Sequence, residues 1–224
     1  MKIIFIGTLL LSSAFATMDA DLVVPLQFND SIDVDHELHK IQTPYLTVKQ
    51  EEINYPTSAR VNAHFQEALS LLEKVLNSDL FKKKVLAYVR PSNEANEFMK
   101  NYLWRDSSKR LSNAEVLEII YNGDEKMIPG TKGEMNINTY FKSCKWPRSW
   151  FKWCRRVVGS TSPYNSKWIA LNPRFYYRFD APKMVNNLVH EWLHLLGFLH
   201  GKVNMREEVP YVVGRIAEEV AREL

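Results

Sequence analysis

The residues best suited to chemistry lie in one eleven-residue segment that starts at His190 and reads His-Glu-Trp-Leu-His-Leu-Leu-Gly-Phe-Leu-His. His190 and His194 are four residues apart, so on a helix both imidazoles project from one face and can bind one metal ion. Glu191 follows the first histidine, where its carboxylate can reach a water on that metal without being a ligand. Gly197 can leave the helix through a left-handed conformation, which returns His200 as a third ligand.

This spacing predicts a catalytic zinc site rather than a structural one. Three protein ligands leave the fourth tetrahedral position open for water, whereas structural zinc sites are closed by four protein ligands. The alternative is that these are ordinary core residues of a buried helix. That alternative leaves unexplained why three of the six histidines fall at ligand spacing. We therefore expect Zn²⁺ bound by His190, His194 and His200, with Glu191 as the general base.

The segment resembles the active-site motif of the metzincin clan of zinc metallopeptidases. The five residues that carry the resemblance are His190, Glu191, His194, Gly197 and His200. The resemblance implies that the three histidines are zinc ligands and that Glu191 is the base.

Metzincins also place a methionine in a turn beneath the metal, and some use a tyrosine two residues later. Met205 is the only methionine after the motif, and Glu207 occupies the position of that tyrosine. Tyr211 is the nearest substitute, with its hydroxyl as a donor to the oxyanion. Either Met205 forms the floor of the site or the segment Val209–Tyr211 forms a wall beside the metal.

The chain is predicted to be α+β, with the fold of a metzincin-like zinc peptidase domain. This fold combines a twisted mixed sheet, a long backing helix, an active-site helix and a short C-terminal helix. Apolar residues recur at helical spacing from Ser58 to Leu76, which predicts the backing helix. Asp180, with Pro182 two residues later, is a typical start for the active-site helix. Alternation over residues 134–140 predicts one strand.

A second strand is predicted immediately before the active-site helix. In metzincins the strand in this position is a sheet edge that pairs with extended substrate. The resemblance therefore implies that the substrate-binding wall consists of Trp168, Ile169, Ala170 and Leu171.

The N-terminal residues have the pattern of a secretory signal peptide spanning residues 1–16. Lys2 is positive, Ile3–Leu11 is a short apolar run, and Ala14-Phe15-Ala16 is a small-x-small cleavage site. The run is shorter than the ~20 residues of a membrane span, so we expect no transmembrane segment. The alternative is a retained anchor. The pattern predicts an exported protein, secreted or periplasmic. Residues 17–56 form an extension or a removable propeptide, and 57–224 the catalytic domain.

Cys144 and Cys154 are the only cysteines. An even number at close spacing in an exported chain predicts a Cys144–Cys154 disulfide, with a pair of free thiols as the alternative.

The segment 142–156 around these cysteines interleaves three tryptophans with lysines and arginines. It could bind an anionic polymer, an envelope surface or a protein substrate, or it could be a hairpin that buries its rings and leaves its charges in water. The formal net charge of +3 is too small for a dedicated nucleic-acid-binding protein.

The function expected from these features is that of an exported zinc metalloendopeptidase acting on a protein or peptide substrate. Two alternatives stay open: a zinc amidase acting on cell-wall peptides, and a zinc-stabilised binding protein without turnover. The sequence does not determine the oligomeric state.

Overall fold

The computed structural model describes most of the 224-residue chain. The described residues are 14–17, 25–41, 43–54, 58–98, 110–128, 130–142, 157–162, 164, 166–200 and 205–224. Cys144, Cys154 and nearly all of segment 142–156 lie outside them, as do residues 1–13 of the predicted signal peptide.

The architecture is mixed α and β, with long helices and small sheets. The α-helices in the described residues are α1 (Val34–Lys40), α2 (Ala59–Asn77), α3 (Asp79–Ala87), α4 (Asn113–Asn122), α5 (Pro173–Tyr176), α6 (Ala181–Leu195) and α7 (Val209–Glu223). The strands are β1 (Ala14–Thr17), β2 (Gln27–Phe28), β3 (Thr47–Lys49), β4 (Tyr88–Val89), β5 (Glu97–Phe98), β6 (Leu111–Ser112), β7 (Glu134–Asn136), β8 (Thr139–Phe141), β9 (Val157–Thr161) and β10 (Ile169–Leu171).

Local sequence signals determine where several helices begin and end. The Ser112 side chain accepts a hydrogen bond from the Glu115 amide, and the Glu115 carboxyl accepts one from the Ser112 amide, which starts α4. Asp180 caps α6 by accepting a hydrogen bond from the Lys183 amide at 3.0 Å. The predicted start of the active-site helix is therefore confirmed.

Helices α2, α6 and α7 pack together around one apolar core. The apolar positions of the predicted backing helix are all buried in α2 (Val61, Phe65, Ala68, Leu69, Leu72, Val75 and Leu76). Helix α6 is covered on every side, because the sheet packs against one face and α2 and α7 cover the others.

The largest sheet in the described part of the chain has the strand order β1-β9-β10-β8. Strand β10 runs parallel to β8 and antiparallel to β9. Both sides of β10 are therefore occupied by neighbouring strands. The expectation that residues 168–171 form a sheet edge is wrong, since the order of strands depends on contacts distant in sequence.

The prediction of one strand over residues 134–140 is also wrong. This region contains two strands, β7 and β8, which pair with different partners. β7 runs parallel to β3, whereas β8 runs parallel to β10. The break falls at Ile137 and Asn138, both buried.

Residues before position 57 contribute to the same core as the rest of the chain. Strand β3 pairs with β7, β2 pairs with β4, and Leu46 is fully buried. Strand β1 runs antiparallel to β9 along the side that β10 leaves open. Removal of residues 25–54 would therefore expose core and unpair two strands.

Among the helices in the described ranges, none has the combined length and apolar character needed to cross a bilayer.

Candidate metal centre

Three imidazoles converge beside the C-terminal half of α6, two from the helix itself and one from the chain after it. The Nε2 atom of His200 lies 3.2 Å from Nε2 of His190 and 3.1 Å from Nε2 of His194. One ligand atom from each of the three rings falls within 4.8 Å of the others. The predicted grouping of these histidines is confirmed, and the group could hold a metal ion.

Gly197 makes this convergence possible. Its φ of 106° lies in the region that L side chains rarely adopt. The Gly197 amide donates to the His194 carbonyl and the Phe198 amide donates to the Leu193 carbonyl, which closes the helix. The chain then turns back and delivers His200 to the face that carries the other two histidines.

The spacing of the Nε2 atoms fits a tetrahedral metal. Ligands about 2.0–2.1 Å from a zinc ion, at tetrahedral angles, lie about 3.3 Å apart. The observed 3.1 and 3.2 Å separations are close to this value. Three nitrogen lone pairs at such distances would repel one another, so the arrangement favours a cation between them.

Each ring also has a second contact that orients it. His194 Nδ1 lies 2.6 Å from the Phe198 carbonyl oxygen, and His200 Nδ1 lies 2.9 Å from Glu208 Oε2. His190 hydrogen-bonds to the backbone of Pro210, which must accept through its carbonyl because proline has no N–H. Protons placed on these sides leave the Nε2 lone pairs free for a metal.

Burial keeps the first two imidazoles neutral. His190 and His194 are about 1% and 0% exposed. Burial, followed by the proximity of the other histidines, lowers the pKa of His190 well below its usual value. Burial and then His200 lower the pKa of His194 to about 3. Neutral imidazole is the form that binds metals.

Glu191 is a buried carboxyl with no hydrogen-bond partner among the described residues. Neither carboxyl oxygen has one, and burial raises its pKa well above the usual value. Asn187, one turn earlier, lies close enough to lower the pKa in part, although its Nδ2 also lacks a hydrogen-bond partner. Tyr176 fixes this amide by donating to Asn187 Oδ1 at 2.9 Å.

Strand β9 passes directly over this carboxyl. A Cβ placed on Gly159 would lie 2.6 Å from Glu191 Oε1 and 2.9 Å from Asn187 Oδ1. Only glycine allows the strand to approach the helix this closely. The unpartnered Oε1 of Glu191 therefore lies between α6 and β9.

The first turn of α7 packs against the histidine cluster. The Tyr211 ring packs against His190 and His200, with ring centroids 4.7 and 4.9 Å apart. Gly214 lets the two helices approach, because a Cβ there would lie 2.9 Å from the Asn186 carbonyl oxygen and 3.4 Å from His190 Cβ. The catalytic role of Tyr211 stays a prediction.

The remaining predicted site residues are Met205 and residues 168–171. Met205 begins a short 3₁₀ helix, Met205–Glu207, and its side chain lies outside the described part of the structure. Ile169, Ala170 and Leu171 are buried in the sheet. The Trp168 carbonyl accepts from Thr161 Oγ1 at 2.8 Å.

Two buried carboxyls that support the site were not predicted from the sequence. Glu208, with no exposed surface, contacts His200. Glu125 accepts hydrogen bonds from Trp192 Nε1 at 2.8 Å and from the Asn136 amide at 2.7 Å. Glu125 is 67 positions from Trp192 along the chain, and no local pattern points to that contact.

No known protein family, curated protein or solved structure matches this chain.

Proposed function

We propose that the protein is a zinc-dependent metalloendopeptidase of metzincin-like fold, which hydrolyses peptide bonds in a protein or peptide substrate. The observation that carries this proposal is the convergence of one ring nitrogen from each of three histidines, with the residue after the first of them, Glu191, carrying a buried carboxyl that has no hydrogen-bond partner among the described residues. Three histidine ligands with an open fourth position are typical of catalytic zinc.

Zinc is the metal that the donor set favours. Imidazole suits several transition metals, but three imidazoles near tetrahedral spacing are typical of zinc enzymes. When bound, zinc would supply Lewis acidity, polarising a carbonyl and making water acidic enough to react near neutral pH.

Glu191 supplies the proton transfer. Its carboxylate takes a proton from the attacking water, whose oxygen bonds to the carbonyl carbon. The same proton then passes to the departing nitrogen as the C–N bond breaks, so water is added across the peptide bond. Tyr211, whose ring packs against His190 and His200, would donate a hydrogen bond from its hydroxyl to the developing oxyanion.

The outer edge of β9 provides the peptide-binding surface that this reaction needs. The short strand β1 pairs with it antiparallel, with Phe15 opposite Ser160 and Thr17 opposite Val157. Gly159, within this paired stretch, lies against Glu191. An extended substrate added at this edge would run past the proposed base, which favours an endopeptidase.

A binding protein without turnover explains these features less well. A buried carboxyl without hydrogen bonds costs stability and is retained where it serves a reaction. The export of this enzyme is a further part of the proposal, and it rests on the pattern of residues 1–16.

The test is hydrolysis of an unfolded protein such as casein by purified protein, with elemental analysis of bound metal. We expect one zinc per chain, activity that a chelator abolishes, and recovery on adding zinc. Glu191→Ala should keep the zinc and the fold but lose hydrolysis by several orders of magnitude. Purified cell wall as a second substrate distinguishes the peptidase from the amidase alternative, because an amidase would hydrolyse the wall and not casein. A wild-type protein without zinc, or an active Glu191→Ala variant, would contradict the proposal.

A further inference from the structure

One of the three candidate ligands is held differently from the others. His190 and His194 lie on the same rigid helix, α6, and their second contacts are backbone carbonyls of Pro210 and Phe198. His200 lies beyond the helix in irregular chain, and its second contact is the Glu208 carboxyl. The position of the third ligand therefore depends on a side chain from another element.

Glu208 has the geometry of an orienting group and not of a ligand. Its Oε2 lies 2.9 Å from His200 Nδ1, on the opposite side of the ring from the Nε2 that faces the other histidines. The Glu208 side chain has no exposed surface, so the hydrogen bond is shielded from water.

The N-cap position of Glu208 does not explain the direction in which its carboxyl points. Glu208 precedes α7 at the N-cap position, where a side chain often bonds to the free amides of the first turn. Its side chain makes no such capping hydrogen bond. The carboxyl turns instead toward His200.

We propose that Glu208 is the positioning residue of the metal centre, a role that rests on the proposed zinc site. A ligand Nε2 must offer a lone pair, so the ring proton belongs on Nδ1 and needs an acceptor there. Glu208 provides that acceptor, fixes the ring orientation and increases the donor strength of Nε2. Docking of α7 thereby completes the third ligand.

The test is zinc affinity, measured by competition with a chromogenic chelator, for wild type and Glu208→Gln. Glutamine keeps the length of the side chain but is a weaker acceptor, and we expect affinity to fall about 10–100-fold. Glu207→Gln is the matched control, because it alters the adjacent carboxyl, which accepts a hydrogen bond from Ser92 Oγ at 2.6 Å, and it should leave affinity unchanged.

A double-mutant cycle with His200→Ala separates positioning from general destabilisation. If Glu208 acts through His200, Glu208→Gln has no further effect on affinity once His200 is gone. Cobalt(II) absorption spectra should show an altered coordination in Glu208→Gln, whereas the control variant should give the wild-type spectrum. If Glu208→Gln prevents folding, Glu208→Asp serves the same comparison, because its shorter side chain withdraws the carboxyl from the ring.

The outcomes distinguish this inference from the proposed function. Unchanged affinity in Glu208→Gln, or an equal loss with and without His200, would overturn the positioning role while leaving the zinc site intact. A wild-type protein that binds no zinc would overturn both.

Discussion

At the scale of single residues, the Tyr211 hydroxyl can be separated from the Tyr211 ring. The ring packs on His190 and His200, and phenylalanine preserves that packing. We expect Tyr211→Phe to keep zinc affinity within about twofold and to lower kcat by about 10²–10³, the usual cost of losing one oxyanion donor. Steady-state kinetics with a fluorogenic peptide measures this effect. An unchanged kcat would remove Tyr211 from the chemistry.

A second prediction concerns the buried carboxyl that anchors α6. Burial raises the pKa of Glu125 from 4.5 to about 7, although hydrogen bonds from Asn136 and Trp192 lower it in part. As pH rises, Glu125 loses its proton in the unfolded chain at a lower pH than in the folded chain. The contribution of protonated Glu125 to the free energy of unfolding is therefore fully present below pH 4.5 and is lost as pH rises toward 7. The pKa difference corresponds to about 3 kcal/mol.

Glu125→Gln removes this dependence but keeps an acceptor for Trp192. We expect the free energy of unfolding of the variant, relative to wild type, to rise between pH 5 and pH 8. Urea unfolding at several pH values measures the difference. Parallel curves for the two proteins would show that Glu125 does not titrate in this range.

At the scale of elements, the α6–α7 contact is the interface that assembles the site. Alanine normally favours a helix over glycine by about 1 kcal/mol. Gly214→Ala should nevertheless destabilise the protein and weaken zinc binding, because its Cβ would meet the Asn186 carbonyl at 2.9 Å. Thermal unfolding and chelator competition measure both effects.

Glu223→Ala is the control for this prediction. It lies on α7 far from the site, in an exposed ion pair with Lys84. Its effect on stability should stay within about 0.5 kcal/mol. If Gly214→Ala proved as stable and as tight in zinc binding as Glu223→Ala, the close helix contact would not be required.

Features set by nearby residues were the ones that sequence could predict. Helical spacing places His190 and His194 on one face, Gly197 permits the reversal, and Asp180 caps the helix. Each of these features depends only on residues a few positions apart in the sequence. The neighbours of β10 and the Glu208–His200 contact could not be predicted. The former depends on strand order across the sheet, and Glu207 and Glu208 look equivalent in sequence.

At the scale of the whole molecule, strand β1 connects the N-terminal residues with the proposed substrate edge. Processing after Ala16 would remove most of this strand and leave the outer side of β9 open. We therefore expect a chain beginning at Thr17 to have a lower KM for peptide substrates than the full chain, with similar zinc affinity. Parallel kinetics on both forms measures this, and an equal KM would indicate that β1 does not compete with substrate.

With zinc at the proposed site, the first turn of α7 would also couple metal binding to folding. Because Glu208, Pro210 and Tyr211 all contact rings of the candidate ligands, zinc bound at the proposed site and the docked helix would stabilise each other by thermodynamic linkage. Zinc at about a thousand times its Kd would add about 4 kcal/mol to the stability of the folded chain. Chelation should therefore increase hydrogen exchange in α7 before it affects α2. Uniform exchange across both helices would contradict this coupling. If the coupling holds, the supply of zinc would control the lifetime of the folded protein as well as its proposed activity.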